Sequence, residues 1–245
     1  MSKLKKVTFT GVDDYTNPLE LQYLQDKYPY VEFGVLFSQK RQTSCHRYPS
    51  PYILYDLVYK NLKLSAHLCG VFARKAYIGD WSYFNEFIRP FFDDDKTKTE
   101  VLSIFSRCQL NLSGTHVNKA FALSPNCPLP KCKQFIIQQR SATECPLYNL
   151  SKKNDSVVLL CDASGGKGID TPIDIYAESG KMVGYAGGIN ESNVRHKLDI
   201  LYASENTGDF WIDMESSVRD NNDRFDTKAI ERILEIVDSY INNEL

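Results

Sequence analysis

The chain has 245 residues, 42% of them hydrophobic and 12% aromatic, enough to bury a sizeable core and to exclude a disordered polymer. Its 29 lysines and arginines face 31 aspartates and glutamates, and the net charge of −2 disfavours nucleic acid or an anionic membrane as the main partner. The length admits one or two domains, and single α/β barrels commonly reach this size.

Short apolar or alternating segments rich in β-branched and aromatic residues follow one another at a regular pace. In chain order the predicted strands are Lys6–Val12, Val31–Ser38, Lys63–Cys69, Cys108–Leu112, Gln134–Gln138, Val157–Asp162, Met182–Ala186 and Phe210–Glu215. Between them, Pro18–Lys27 opens with proline after Thr16-Asn17, a good helix start. Pro51–Lys60, Trp81–Phe92, Lys119–Leu123 and Asn190–Leu201 are further helical segments, and Thr227–Ile241 places Ile230, Ile233, Leu234, Val237 and Ile241 on one face. The acidic stretch Asp93–Asp95 reads as a solvated loop. Strand and helix alternate with a spacing of roughly 30 residues, the length of a βα repeat. Eight such units predict an α/β fold, a single (β/α)8 TIM barrel spanning the chain as one domain, over an open doubly wound sheet.

No apolar run approaches the roughly 18 residues of a membrane-spanning helix. The opening MSKLKKVTFTG passes straight into alternation without the apolar core of about 7–15 residues that a signal peptide needs, so it reads as mature protein. Seven cysteines, an odd number spread along the chain, fit a reducing, cytoplasmic setting.

In such a barrel the outer strand faces pack on helices, while the inner faces lead to a site at the strands' C-terminal ends. Alternation assigns Thr10, Glu32, His67, Cys69, Gln109, Asn111, Gln138, Asp162, Asp213 and Glu215 to the interior. Burying so many polar groups is costly unless each finds a partner or lines a wet cavity. A barrel needing only stability would use aliphatic residues there, so a ligand pocket is expected.

LLCDASGGKGIDTP (Leu159–Pro172) is similar to the sixth-strand segment of phosphoribosylanthranilate isomerase, where LLD precedes a glycine-rich loop. VGYAGGINESNV (Val183–Val194) resembles its AGG-L-N-P-E-N-V at the seventh strand, and IDMESSVRDNNDRFDTKAIERI (Ile212–Ile233) its eighth-strand D-V-S-S-G-V-E. RYPSP (Arg47–Pro51) resembles the SPRYVSP after the second strand, and TFTGV (Thr8–Val12) stands in the place of KICGI. AHLCG and WIDME segments resemble those of a diverged subgroup.

The resemblance implies the barrel, a small phosphorylated substrate and an acid–base isomerisation, with no cofactor and no metal. It makes Asp162 the acid and Arg47 the anchor of a substrate carboxylate. The family's base cysteine is replaced by Thr10, whose alkyl hydroxyl cannot accept a proton at neutral pH. Asp13, His67 and Cys69 are candidates for that role, and Thr10, Gln109, Asn111, Asp213 and Glu215 for substrate contact. Gly166, Gly168, Gly187 and Gly188 suit a backbone cradle for phosphate, as glycines let N–H groups approach an anion. Ser217 and Arg219 join them, the arginine standing after the lost glycine of the eighth-strand motif.

Two further readings stay open. The loss of the cysteine fits a barrel that binds or senses a phosphorylated ligand without turnover. Asp162, Asp213, Glu215 and His67 could instead converge on a divalent cation for lyase or hydrolase chemistry. Cys127, Cys132 and Cys145 have too loose a spacing for a zinc site, with His116 near them only in sequence and no fourth ligand, and read as ordinary thiols. Gln39–Gln42, after the second strand, reads either as a basic lid for an anionic substrate or as a solvated loop. The oligomeric state is open.

Overall fold

Eight parallel strands, each hydrogen-bonded to the next and the last to the first, close into a barrel. They are β1 (Leu4–Thr10), β2 (Val31–Phe37), β3 (Leu64–Cys69), β4 (Phe105–Asn111), β5 (Gln134–Gln139), β6 (Val157–Asp162), β7 (Val183–Ala186) and β8 (Phe210–Met214). The structure is a computed structural model and describes residues 3–42, 44–88, 105–112, 132, 134–139, 155–175, 181–204 and 208–242. The expected helix at Lys119–Leu123, the Asp93–Asp95 stretch, His116, Cys127 and Cys145 lie outside these residues. No helix among the described residues is long and apolar enough to cross a membrane.

The helices are α1 (Pro18–Lys27), α2 (Pro51–Val58), α3 (Val71–Tyr77), α4 (Ser82–Ile88), α5 (Val194–Ala203) and α6 (Thr227–Asn242). The Asn17 side chain caps α1 by accepting from the Leu19 N–H, and Asp226 caps α6 by accepting from Lys228 and Ala229. The apolar stripe of α6 is fully buried at Ile230, Ile233, Leu234 and Val237.

Some departures from expectation have local reasons. α2 stops at Val58 rather than Lys60, and the turn after it takes Asn61 to φ +49°, where asparagine is tolerated better than most residues. α5 starts at Val194 rather than Asn190 because Asn190 and Asn193 bond their own neighbourhood: Ser192 N–H donates to Asn190, and Asn190 N–H donates to Asn193. α3 was not foreseen; two turns are too short to register a period, though Phe72, Ala73, Ala76 and Tyr77 are all buried.

The outer strand faces follow the expected alternation. Val7 and Phe9, Phe33 and Val35, Leu64 and Ala66, Cys108 and Leu110, Val157 and Leu159, and Phe210 and Ile212 all belong to the main core. The inner face divides in two. Ile136, Val158, Leu160 and Trp211 form a separate apolar cluster inside the barrel. Gly184 permits it: a Cβ there would run into the indole of Trp211 and come 2.7 Å from Leu160 Cδ1.

The opposite wall is charged. Arg107, from β4, donates to Glu32 of β2 at 2.8–2.9 Å and to Thr8 Oγ1 at 3.2 Å, and Thr8 donates to the same carboxylate at 3.1 Å. The guanidinium carbon sits 4.5 Å from the Trp211 ring, a cation–π contact. Arg107 was missed because the fourth strand was expected to begin at Cys108; it begins at Phe105, which turns Arg107 inward.

Removing one partner of this buried pair leaves the other uncompensated. Glu32→Ala is expected to lower global stability by roughly 3–5 kcal/mol, read as a lower urea midpoint with an unchanged slope. Glu32→Leu combined with Arg107→Met should recover most of that loss. A single-variant cost below about 1 kcal/mol would mean the pair is solvated.

Candidate functional site

All eight strands point their C-terminal ends the same way, and the loops that follow them form one mouth. Asp162 ends β6 and is fixed by its own loop. Its Oδ1 accepts from Ser164 N–H at 3.0 Å and Ser164 Oγ at 2.6 Å; its Oδ2 accepts from Gly166 N–H at 2.6 Å and Gln138 Nε2 at 2.5 Å. Gln138, inward-facing on β5 as expected, thus orients the carboxylate rather than standing free.

Asp213 lies two strands further round the barrel, on β8, beside Thr10 of β1. Thr10 Oγ1 donates to Asp213 Oδ1 at 2.9 Å, and no other hydrogen bond reaches this carboxyl among the described residues. The residue is 7% exposed. Burial pushes its carboxyl up to about 7; the Thr10 bond and Arg107 oppose the shift, while Glu215 and Glu32 add to it.

His67, on β3, is buried, and burial together with the Arg107 charge pushes its imidazole down to about 3. It is therefore neutral near pH 7, and among the described residues its Nε2 has no hydrogen-bond partner. A Cβ on Gly34 would come 2.5 Å from Thr10 Oγ1 and 3.0 Å from His67 Nε2, which places the two side chains side by side over that glycine. Ser65 Oγ and Gln109 Oε1, also inward-facing, are likewise unpartnered and buried. Such groups normally meet ordered water or a ligand.

Gln109 donates to Asn111 Oδ1 at 2.8 Å, and Asn111 donates to Cys69 Sγ at 3.2 Å. Burial pushes the Cys69 thiol up, so the protonated form dominates at neutral pH.

Around the rim the charges pair with each other. Arg47 reaches Glu215 at 3.2 Å, Asp223 at 3.1 Å and Ser216 Oγ at 3.2 Å. The Glu215 side chain is 39% exposed, yet it stands inside the mouth, and that enclosure holds its carboxyl above the usual range, with Arg47 opposing and Asp162 adding. Arg219, its side chain 3% exposed, donates to Asp13 at 2.8 Å and to the carbonyls of Gly11 and Asp223. Asp13 also accepts from Tyr15 N–H, Thr16 Oγ1 and Phe225 N–H. Asp13 and Arg219 thus lock the β1 and β8 loops together, and neither is free for a ligand in this arrangement.

The glycine cradle is partly covered. Gly187 has φ +111°, and its missing Cβ would meet Thr171 Oγ1 at 2.6 Å and Asp162 Oδ1 at 3.5 Å. At Gly188, with φ +67°, the backbone of Ile169 and Asp170 lies in the place a side chain would need. Lys197 of α5 holds that loop down through Thr171 O at 2.6 Å and Asp170 at 2.7 Å. A Cβ on Gly168 would come 2.8 Å from the Ser216 side chain and one on Gly166 3.8 Å from Gln138 Nε2, and Ser217 Oγ donates to Ile189 O at 2.6 Å, tying the β7 and β8 loops. Arg107, Lys197 and Ser164 were not foreseen as parts of the site; Ser164 carried a signal, since it stands two residues after Asp162 in the glycine-rich loop. Among the described residues no three His, Cys, Asp or Glu side chains are placed to hold a metal ion.

No protein-family model matches this chain, and no curated protein matches it. Solved structures do. Phosphoribosylanthranilate isomerase from Thermus thermophilus superposes with a TM-score of 0.55 at 13% identity, covering 96% of this chain and 98% of the other. Phosphoribosylanthranilate isomerase from Thermotoga maritima gives a TM-score of 0.55 at 15% identity, covering 97% and 99%. At such identity the likeness is one of fold, the same full-length (β/α)8 barrel that the sequence resemblance implied.

The Asp213 carboxyl, about 7 folded against 3.8 unfolded, keeps a proton that the unfolded chain has released. Its contribution to stability is complete below about pH 4 and is lost as the pH rises to about 7. Asp213→Asn has no such loss. The stability difference between variant and parent, from denaturation midpoints, is expected to move in the variant's favour across that window and to level off above it. A difference independent of pH would show that Asp213 ionises like an exposed carboxyl.

Proposed function

We propose that this barrel binds a small phosphorylated, sugar-type compound in its C-terminal mouth and isomerises it by acid–base chemistry. The observation that carries this reading is the convergence of Asp162 from β6, Asp213 from β8 and the unpartnered imidazole of His67 on one mouth. The charge of Asp162 raises Glu215, and that of Glu215 raises Asp213. Proton transfer at carbon needs a positioned group whose affinity for the proton lies near working pH, and burial brings the Asp213 carboxyl to about 7. The fold neighbours, both phosphoribosylanthranilate isomerases, support the substrate class.

In this reading Asp162, oriented by Gln138 and Ser164, faces the substrate oxygen. Gln109 and Asn111 meet its hydroxyls. The phosphate is taken by backbone N–H groups of the Gly166–Gly168 and Gly187–Gly188 loops with Ser217 at the edge. Because Ile169–Asp170 lies over Gly188, phosphate binding there requires the loop held by Lys197 to move outward. Arg47 meets a substrate carboxylate only in exchange for Glu215 or Asp223. Asp13 and Arg219 support the rim from beneath. The protein works in the cytoplasm, without cofactor or metal.

A second reading has its own observation: the covered glycine and the fully engaged Arg219 fit a barrel that binds a phosphorylated ligand without turnover. Thermal shift separates binding from its absence. Ribose 5-phosphate, glucose 6-phosphate and phosphoribosylanthranilate are expected to raise the melting temperature by about 2 °C or more at saturation, and ribose and glucose are not. Gly187→Asp, which puts a carboxylate against Thr171 and Asp162, should abolish the shift. Equal shifts with phosphorylated and plain sugars would remove the phosphate site, and no shift with any of them would remove the ligand class.

A further inference from the structure

We propose that Asp213 is the proton acceptor of this barrel, taking the proton from the carbon beside a substrate carbonyl or imine, and that Thr10 positions it. The inference rests on the sugar-phosphate reading above and identifies the group that does the chemistry in place of a first-strand cysteine.

The geometry narrows the choice. Thr10 has only an alkyl hydroxyl, and that hydroxyl is already spent as a donor to Asp213 Oδ1 at 2.9 Å. Asp13 is enclosed by Arg219 and three further donors. Glu215 is tied to Arg47, and Asp162 accepts four hydrogen bonds. Cys69 keeps its proton, and His67 binds one too weakly to compete near neutral pH. Among the described residues Asp213 accepts one hydrogen bond, from the neutral Thr10 hydroxyl, and pairs with no cation, which leaves its second oxygen without a partner. Gly34 keeps the wall beside Thr10 and His67 bare, so the acceptor, its positioning hydroxyl and a neutral imidazole share one edge of the mouth.

The groups that act on Asp213 are Thr10 from β1, Glu32 from β2, Arg107 from β4 and Glu215 after β8. With its carboxyl at about 7, the ionised and protonated forms are both populated near neutrality, as a group that takes and returns one proton requires.

The step balances within the substrate. Asp213 carboxylate removes the proton from C2 of an aldose-type compound; the C2–H electron pair becomes the C1=C2 bond, and the C1=O pair passes to O1, which takes a proton from solvent. O2 then gives up its proton to solvent as C2=O forms, and the C1=C2 pair takes the proton back from Asp213 at C1. C1 is reduced and C2 oxidised, so no outside oxidant or reductant enters. A C1=N imine follows the same course with nitrogen in place of O1.

The test is exchange of the C2 hydrogen of ribose 5-phosphate and glucose 6-phosphate in deuterium oxide, followed by proton NMR, with binding of the same probes followed by thermal shift. The parent protein is expected to exchange at least one probe. Asp213→Asn should bind the probes as before and lose exchange by about 100-fold or more. Thr10→Val removes a bond that favours the ionised carboxyl, so the pH at which exchange reaches half its plateau should move up; Thr10→Ser should restore the parent profile, a readout that loss of packing alone would not shift. Undiminished exchange in Asp213→Asn, or an unmoved pH profile in Thr10→Val, overturns the assignment. Probes that bind the parent without exchanging overturn it and leave the ligand reading standing, whereas probes that do not bind at all remove the ligand reading and this inference together.

Discussion

The constraint on which the rest depends is a buried charge pair in a closed barrel. Eight strands curled on themselves present inward residues that no solvent layer reaches, and Arg107 and Glu32 both stand there nearly inaccessible. Each tolerates that place only because of the other, because Thr8 bonds both, and because Trp211 offers its ring face to the guanidinium. The same indole packs over Gly184 and joins Ile136, Val158 and Leu160. One side chain therefore joins the apolar wall to the charged one, and an ordinary aliphatic residue at 211 would serve only the first.

A division of labour among the charges follows. Those at the rim pair with one another across loops: Asp13 with Arg219 between the β1 and β8 loops, Arg47 with Glu215 and Asp223 between β2 and β8, Lys197 with Asp170 between α5 and the β6 loop. These pairs define the shape of the mouth. The groups left with one partner or none, Asp213, His67, Ser65 and Gln109, face the axis. Structural charges are thus spent at the edge and reactive ones held at the centre, an arrangement that keeps the centre polar without letting it neutralise itself.

How far this was legible in the sequence depends on the range of the interaction. Strand number, order and face followed from period-two alternation, a property of each segment alone, and so did the inward set from Thr10 to Asp213. The start of β4 did not, because Ser106-Arg107 reads as a polar approach to a strand; only a partner carboxylate 75 residues away makes an inward arginine tolerable. The same holds at the rim. Arg219 and Asp13 are 206 positions apart, and nothing local marks them as a buried pair rather than a phosphate ligand and a base. Glycines gave a third kind of ambiguity: Gly187 and Gly188 carry the positive φ that a phosphate cradle needs, yet at Gly188 a neighbouring loop, rather than an anion, fills the space. Sequence spacing reported the backbone conformation and could not report its occupant.

The floor and the mouth are not electrically independent. Arg107 disfavours protonation of His67 and of Asp213, whereas Glu32 raises Asp213, so the pair acts on the mouth as a dipole rather than as a net charge. Burial remains the larger influence on both groups, and it acts in opposite senses on an acid and a base: it keeps the carboxyl protonated further up the pH scale and the imidazole neutral further down. Across the interval between them both groups can stand uncharged within the same mouth. An uncharged imidazole with a vacant nitrogen and a carboxyl that ionises near neutrality are then consequences of the same enclosure. The enclosure itself exists because the barrel floor is sealed by a balanced ion pair and an indole. Chemistry at the mouth is in this sense set by the packing of the charged wall next to it.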